Sequence, residues 1–530
     1  MVQTVDESML EETFGAVQMA DNGKGFHLLH YSSERETKDA QELLSRHSNV
    51  KYAEVNRVLA MPKGEDVLTN STSAVKMDST TKDSIRRTET MISDFPYEGW
   101  GADRIGADDF IEYLDQNGKL TSDNEILVAV IDSGVSMDHP IFNNDHPLTE
   151  RRRIADMDAL EEKFGDDFRI NFSGLGSNTA VNGANNHGTF VSGIIVGCTP
   201  DNVKILPFKI NNRAFSQTSQ ANVVLAIRAA TEYGAKVINM SLTYEDADGT
   251  MGSQQAYECA FGDAIAQGAI GVVDAGNARA GGVPADVGLG AYYPANCANT
   301  ITVAATGGNT ELDLQIWQPN DEIAGFSYFG ERVDVAAPGV NIWSSDYDER
   351  SGDNFYGYFS GTSYATPHVA AVATLIMLDN PNVTPEGIKE IICKTVDVPI
   401  GWNSDSQSTP YYGTGVLDLN YYIEVMPTIS DLEYNGTEFT FTTIDLSSHS
   451  ALGSYFDSVY VVIKRYNASD IETGVDSDTV TIDSSGGGTY EPGLTSFSQY
   501  AYLEISVYRN TPSQNLITRQ VIRPKVFAFS

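Results

Sequence analysis

Between residues 126 and 304 the chain alternates short apolar runs with stretches of helical periodicity, and that alternation restricts the folds open to it more than any other feature. The runs are Ile126 to Ile131, Lys204 to Ile210, Lys236 to Met240, Ile270 to Ala275 and Thr300 to Ala304; helical stretches such as Thr218 to Tyr233 and Gln254 to Gln267 lie between them. Strand and helix in turn predict an α/β fold, a parallel sheet with helices on both faces. In such a sheet reactive groups gather at the carboxyl ends of the strands, which is where Asp132 and Asn277 fall.

Three blocks carry the chemistry. Phe359-Ser360-Gly361-Thr362-Ser363 precedes Pro367 and a long apolar helix, so Ser363 stands at a helix start, where backbone N–H groups and the positive dipole end can hold a developing oxyanion. Val128-Ala129-Val130-Ile131-Asp132 reads as a buried strand ending in a carboxylate, and Asn186-His187-Gly188-Thr189 opens a second helix with an imidazole. A serine hydroxyl is a weak nucleophile at neutral pH, so it needs a base to take its proton and a third group to orient that base. Singly, each residue has a structural reading: a loop cap for the Asp, a helix start for the His, an ordinary capped helix for the Ser.

The order Asp, His, Ser is that of the subtilisin triad, and the chain resembles the subtilisin-like (subtilase) serine proteases from about Trp100 to about Val425. Further blocks in family order are Val237-Ile238-Asn239-Met240-Ser241-Leu242, Asp274-Ala275-Gly276-Asn277, Tyr293-Pro294-Ala295, Val333 to Gly339 and the closing Gly413 to Asp418. The resemblance implies a serine endopeptidase working through an acyl-enzyme. Ser363 would be its nucleophile, His187 its base, Asp132 the orienting carboxylate and Asn277 an oxyanion donor. It implies a substrate-binding surface from Ser241, Leu242, Thr243, Ala275, Gly276 and Tyr292. A pseudoprotease that binds or regulates is the competing class, and the complete triad argues against it. His139 and His368 are assigned structural roles, and no pair among the eight histidines forms the His-Glu-x-x-His zinc pattern.

The chain departs from the family pattern at several points. Tyr364 follows the nucleophile where relatives usually have methionine, Thr243 replaces a glycine and should crowd a bound peptide, and Tyr292 should make the S1 pocket shallow. The helix that starts at His187 has no room for the calcium insert many relatives carry, and Ile141 stands where they have an aspartate. No cofactor and no such calcium site are expected; a weaker calcium site, built from loop carbonyls and acids such as Asp346 and Asp348, stays open.

Organisation and charge complete the reading. Residues 1–61 resemble a subtilase propeptide, with a strand Lys24 to Tyr31, a helix Thr37 to His47 and a strand Val50 to Met61; 62–96 read as a polar linker holding the processing site; 97–425 are the catalytic domain. Residues 426–530 alternate apolar and polar residues in short runs and predict a C-terminal β-sandwich. A net charge of -38, from 34 basic and 72 acidic residues, argues against nucleic acid and anionic membrane partners. The expected partners are protein or peptide substrates and the chain's own propeptide, with the enzyme a monomer. The four cysteines make neither a disulfide framework nor a zinc spacing and are read as free thiols. The first thirty residues lack the basic-then-apolar pattern of a signal peptide, while the composition and the appended domain point to export.

Overall fold

A computed structural model describes residues 2–4, 18–21, 26–56, 58–60, 75–76, 99–121, 124–142, 153–173, 177, 186–211, 217–245, 254–278, 282–289, 292–307, 320–348, 353–398, 412–420, 422, 429–434, 439–443, 458–466, 472–481, 487–490, 502–511 and 514–522. Two compact units emerge, one from Met1 to Lys394 with Val398–Leu417, the other comprising Thr395–Asp397 and Asp418–Ser530.

The first unit is built on the parallel sheet that the sequence predicts. Its strands run in the order Val416–Leu417, Val335–Pro338, Thr300–Thr306, Ile270–Asp274, Val237–Met240, Ile126–Asp132 and Val203–Lys209, each pair parallel. Residues 237–240, 270–274 and 300–306 are buried throughout, as expected of strands covered on both faces. Helix Thr362–Asp379 is apolar almost all round and buried to its last turn, because it runs through the core. Helices Gln220–Glu232 and Gln254–Ala266 pack with Phe208, Ile238 and Val273 in a second body of core.

Two buried charged side chains, Arg153 and Asp346, interrupt the apolar core. Arg153 is almost fully enclosed, and its guanidinium donates to the carbonyls of Val203 and Val196 and to Thr199 Oγ1, with Asp201 3.6 Å away. The arginine thus joins a carbonyl at the end of helix His187–Gly197 to one at the start of strand Val203–Lys209. Asp346 and Asp348, the acids named for a weaker calcium site, lie in a strand Ile342–Asp348 paired with Asp353–Phe359, and Asp346 is buried. Among the described residues no group of three His, Cys, Asp or Glu side chains could hold a metal ion, and no helix is long and apolar enough to cross a membrane.

The N-terminal residues form a four-stranded antiparallel sheet in the order Gln18–Asp21, Phe26–His30, Val2–Thr4, Val50–Ala53, crossed by helix Glu34–Ser45. Ser33 caps that helix by accepting from the Glu36 N–H. The predicted strand Val50 to Met61 is interrupted: Val50–Ala53 ends before Glu54, and Val58–Ala60 pairs antiparallel with Gln217–Ser219 instead. Phe26 and Tyr52 join the core that holds Ala221 and Tyr257. The predicted linker lies outside the described residues apart from Val75–Lys76, which add a short strand to Asp353–Phe359. All four cysteines are free thiols.

In the second unit the described strands make two antiparallel sheets, one of Ile429–Tyr434, Phe439–Thr443 and Gly487–Tyr490, the other of Glu472–Thr481, Ser458–Tyr466, Tyr502–Thr511 and Gln514–Ile522.

Candidate active site

Asp132 is the last residue of its strand and is fully buried, so its carboxylate needs partners. The Ser133 N–H donates to Oδ1 at 2.6 Å, and His187 Nδ1 lies 3.0 Å from Oδ1 and 2.9 Å from Oδ2. Gly188 makes that approach feasible: a Cβ there would sit 2.2 Å from the Gly134 carbonyl and 3.2 Å from Asp132. His187 is the first residue of its helix, and its side chain is 16% exposed. Burial pushes the imidazole pKa down, but the charge and hydrogen bond of Asp132, with the charge of Asp274 behind them, outweigh this and raise it.

Ser363 is the second residue of helix Thr362–Asp379 and is 9% exposed. Pro367 has no N–H to give the carbonyl one turn back, so a proline at this point leaves the helix start open. Asn277 is fixed by its neighbours: Thr362 donates to Asn277 Oδ1 through its N–H at 2.9 Å and reaches it with Oγ1 at 3.0 Å. With Oδ1 so engaged, the Nδ2 end of the amide is assigned towards Gly361. Gly276, at φ +102°, turns the chain here, and a Cβ would meet the Tyr328 ring at 2.8 Å.

The residues flanking the nucleophile have definite tasks. Tyr364 is buried against Phe190 and Phe359, with its ring centroid 5.6 Å from that of His187. His368 is buried one turn further on, where Nδ1 lies 2.8 Å from the Tyr364 carbonyl, and burial lowers its pKa to about 4. His139 bridges the Phe355 carbonyl through Nε2 and the Ile141 N–H through Nδ1. Both are packing histidines.

The expected substrate surface is placed as follows. Ser241, Leu242 and Ala275 are buried, and Ser241 Oγ accepts from Asn239 Nδ2. Tyr292 stands edge-on to Tyr328 with centroids 5.1 Å apart, in a strand Tyr292–Tyr293 paired with Tyr244–Glu245. Thr243 is buried as well. Its hydroxyl is directed at the strand end, 2.6 Å from the Asp274 carbonyl oxygen and 2.7 Å from Asp274 Oδ1.

Asp274 is the residue that motif reading missed. It is buried, and besides Thr243 it receives Thr362 Oγ1 at 3.3 Å and Ser363 Oγ at 3.2 Å, both on Oδ2. Burial raises its pKa to about 6, against the pull of these hydroxyls and of His187. The signal was present: a carboxylate closing an apolar strand, as in Ile126–Asp132.

The sequence profile of the subtilase family matches residues 123–431, more than half of the chain. Subtilisin DY of Bacillus licheniformis is 32% identical over 256 residues, 47% of this chain and 80% of that protein. Alkaline serine exoprotease A of Vibrio alginolyticus is 30% identical over 55% of this chain but only 46% of its own length. Subtilisin Savinase of Lederbergia lenta is 27% identical over 60% of this chain and 96% of that protein.

Proposed function

Because the chain belongs to the subtilase family and is a subtilisin-like serine endopeptidase, we propose that Ser363, His187, Asp132 and Asn277 perform its chemistry. The observation that carries the assignment is the Asp132 carboxylate on His187 Nδ1 at 2.9 Å, which leaves Nε2 as the nitrogen available to a nucleophile. Ser363 Oγ attacks the scissile carbonyl while its proton passes to His187 Nε2. The oxyanion is held by the Asn277 amide and the Ser363 N–H at the helix start. Collapse breaks the C–N bond, His187 returns the proton to the leaving amine, and water releases the acyl group by the same route.

Residues 1–61 are read as an inhibitory propeptide. This is supported by the pairing of Val58–Ala60 with Gln217–Ser219 and by Glu54, which accepts from Gln220 Nε2 at 3.2 Å and from the Ala256 N–H at 3.3 Å. Lys51 adds an ion pair to Asp263. A zymogen of this design, processed within 62–96, acts as a monomer on proteins or peptides outside the cell, and 426–530 form the appended sandwich. It needs no catalytic cofactor. Nothing in the triad's geometry supports the pseudoprotease reading.

The test is Ser363→Ala in the full chain. A fluorophosphonate should label the parent and leave the variant unlabelled; the parent should shorten itself on storage, and the variant should stay full length. Equal labelling of both proteins would remove Ser363 from the role of nucleophile.

A further inference from the structure

Two positions that the mechanism above leaves unused meet at the nucleophile. Thr243, a departure from the family's glycine, and Asp274, which closes the strand Ile270–Asp274, are bound to each other through the 2.7 Å hydroxyl–carboxylate contact. The carboxylate is 1% exposed, so water contributes little to its solvation and protein hydroxyls must do so. Thr243 Oγ1 reaches Oδ1 while sharing its one proton with the Asp274 carbonyl, and Ser363 serves Oδ2, with the Thr362 hydroxyl divided between Oδ2 and Asn277 Oδ1.

Resting on the assignment of Ser363 and His187, we propose that Asp274 is a further catalytic carboxylate: it accepts the Ser363 hydroxyl in the resting enzyme and sets a second negative charge near His187, in addition to that of Asp132. Thr243 and Thr362 hold it in place.

The proton count is simple. Ser363 has one hydroxyl hydrogen, directed at Asp274 Oδ2 in the resting site. On attack the Oγ–H bond breaks, an Nε2–H bond forms on His187, and Asp274 neither gains nor loses a proton. What Asp274 supplies is charge. The imidazolium formed in that step then faces two carboxylates, Asp132 at hydrogen-bond distance and Asp274 through space. The gain is largest after proton transfer, because only then does His187 carry a positive charge. Among the described residues Tyr244 also feels the charge of both carboxylates, and burial keeps its phenol protonated; the ring of Tyr364 packs 5.6 Å from the imidazole. Negative charge beside the oxyanion is the opposing effect, and the Thr243 and Thr362 donors reduce it.

The consequence is a pH dependence. A second carboxylate raises the proton affinity of His187, so the acid limb of kcat/KM lies at higher pH than Asp132 alone would set. Asp274→Asn keeps the shape and removes the charge, and it should move that limb to lower pH. Thr243→Val keeps the carboxylate but takes away its closest donor, makes it harder to ionise, and should move the limb the same way by a smaller amount. Both variants are made in the full chain and assayed on a peptide anilide from pH 5 to 10, with active enzyme counted by fluorophosphonate labelling.

A labelled variant with the parent's acid limb and a uniform loss of rate at every pH would show a merely structural Asp274 and overturn the proposal, as would a limb displaced upward. If Asp274→Asn yields no labelled enzyme, Thr243→Val decides alone by the same criterion. Absence of labelling in the parent would instead strike at the assignment of Ser363, so the two failures are told apart.

Discussion

Raising the pH should loosen the grip of the N-terminal residues on the protease, and Glu54 is the reason. Its side chain enters between helices Gln220–Glu232 and Gln254–Ala266, and the residue is 6% exposed. Burial raises its pKa from 4.5 to about 7, more than the bonds from Ala256, Gln255 and Gln220 lower it. A carboxyl whose pKa is raised on docking binds its proton more tightly when docked. Its contribution is therefore complete below 4.5 and is lost as pH rises through about 7. The gap between those values is worth roughly 3 kcal/mol, a few hundredfold in the open population over the full titration. Glu54→Gln mimics the protonated form and should keep the segment docked at alkaline pH. The assay is tryptic cleavage after Lys51 in the Ser363→Ala background, where no self-processing intervenes, normalised at each pH to a free peptide of the same sequence. From pH 5 to 9 the Glu54 protein should become cleavable about a hundredfold faster relative to Glu54→Gln. A ratio that stays constant would refute the reasoning. A reversed ratio would show that the N–H groups and dipoles of the two helix starts favour the carboxylate more than burial opposes it.

Two further outcomes test the site. Asn277→Ala should cost ~2.7–4 kcal/mol in the barrier, read as a loss of kcat with little change in KM; a change confined to KM would take Asn277 out of the oxyanion hole. Tyr292 places bulk where S1 is expected, so a peptide-library profile should favour small residues over aromatic ones at the cleaved position, and Tyr292→Gly should widen the range. Strong cleavage after Phe or Tyr by the parent would show that the ring lines the pocket without closing it.

The strands of the sheet were legible because burial on both faces leaves continuous apolar runs, and the structure moves their ends by a residue or two. What periodicity could not show was the break after Ala53. Val50 to Met61 reads as one strand, yet Glu54 turns inward to meet two helix starts, and Val58–Ala60 pairs with Gln217–Ser219, more than 150 residues away in sequence. No local pattern encodes a partner at that separation. Arg153 was invisible for a related reason: two of its acceptors are backbone carbonyls, which every residue has.

The catalytic blocks were legible as motifs, and the limits of motif reading are clearest at Asp274 and Thr243. Asp132 and Asp274 are the same signal, a carboxylate at the carboxyl end of a buried parallel strand. Only Asp132 was singled out, because the family order names one Asp. Thr243 was read as an isolated intruder on the peptide-binding strand, since side-chain bulk is visible in sequence and hydroxyl direction is not. In the structure the two meet. A buried carboxylate at position 274 requires donors, a glycine at 243 could provide none from its side chain, and threonine places a hydroxyl 2.7 Å away. Without Thr243 the buried Asp274 carboxylate would lose its closest side-chain donor, while the threonine hydroxyl would keep the position-274 backbone carbonyl as an acceptor whatever side chain stood there. The two residues therefore form one feature, and its Asp274 carboxylate meets the hydroxyl of Ser363.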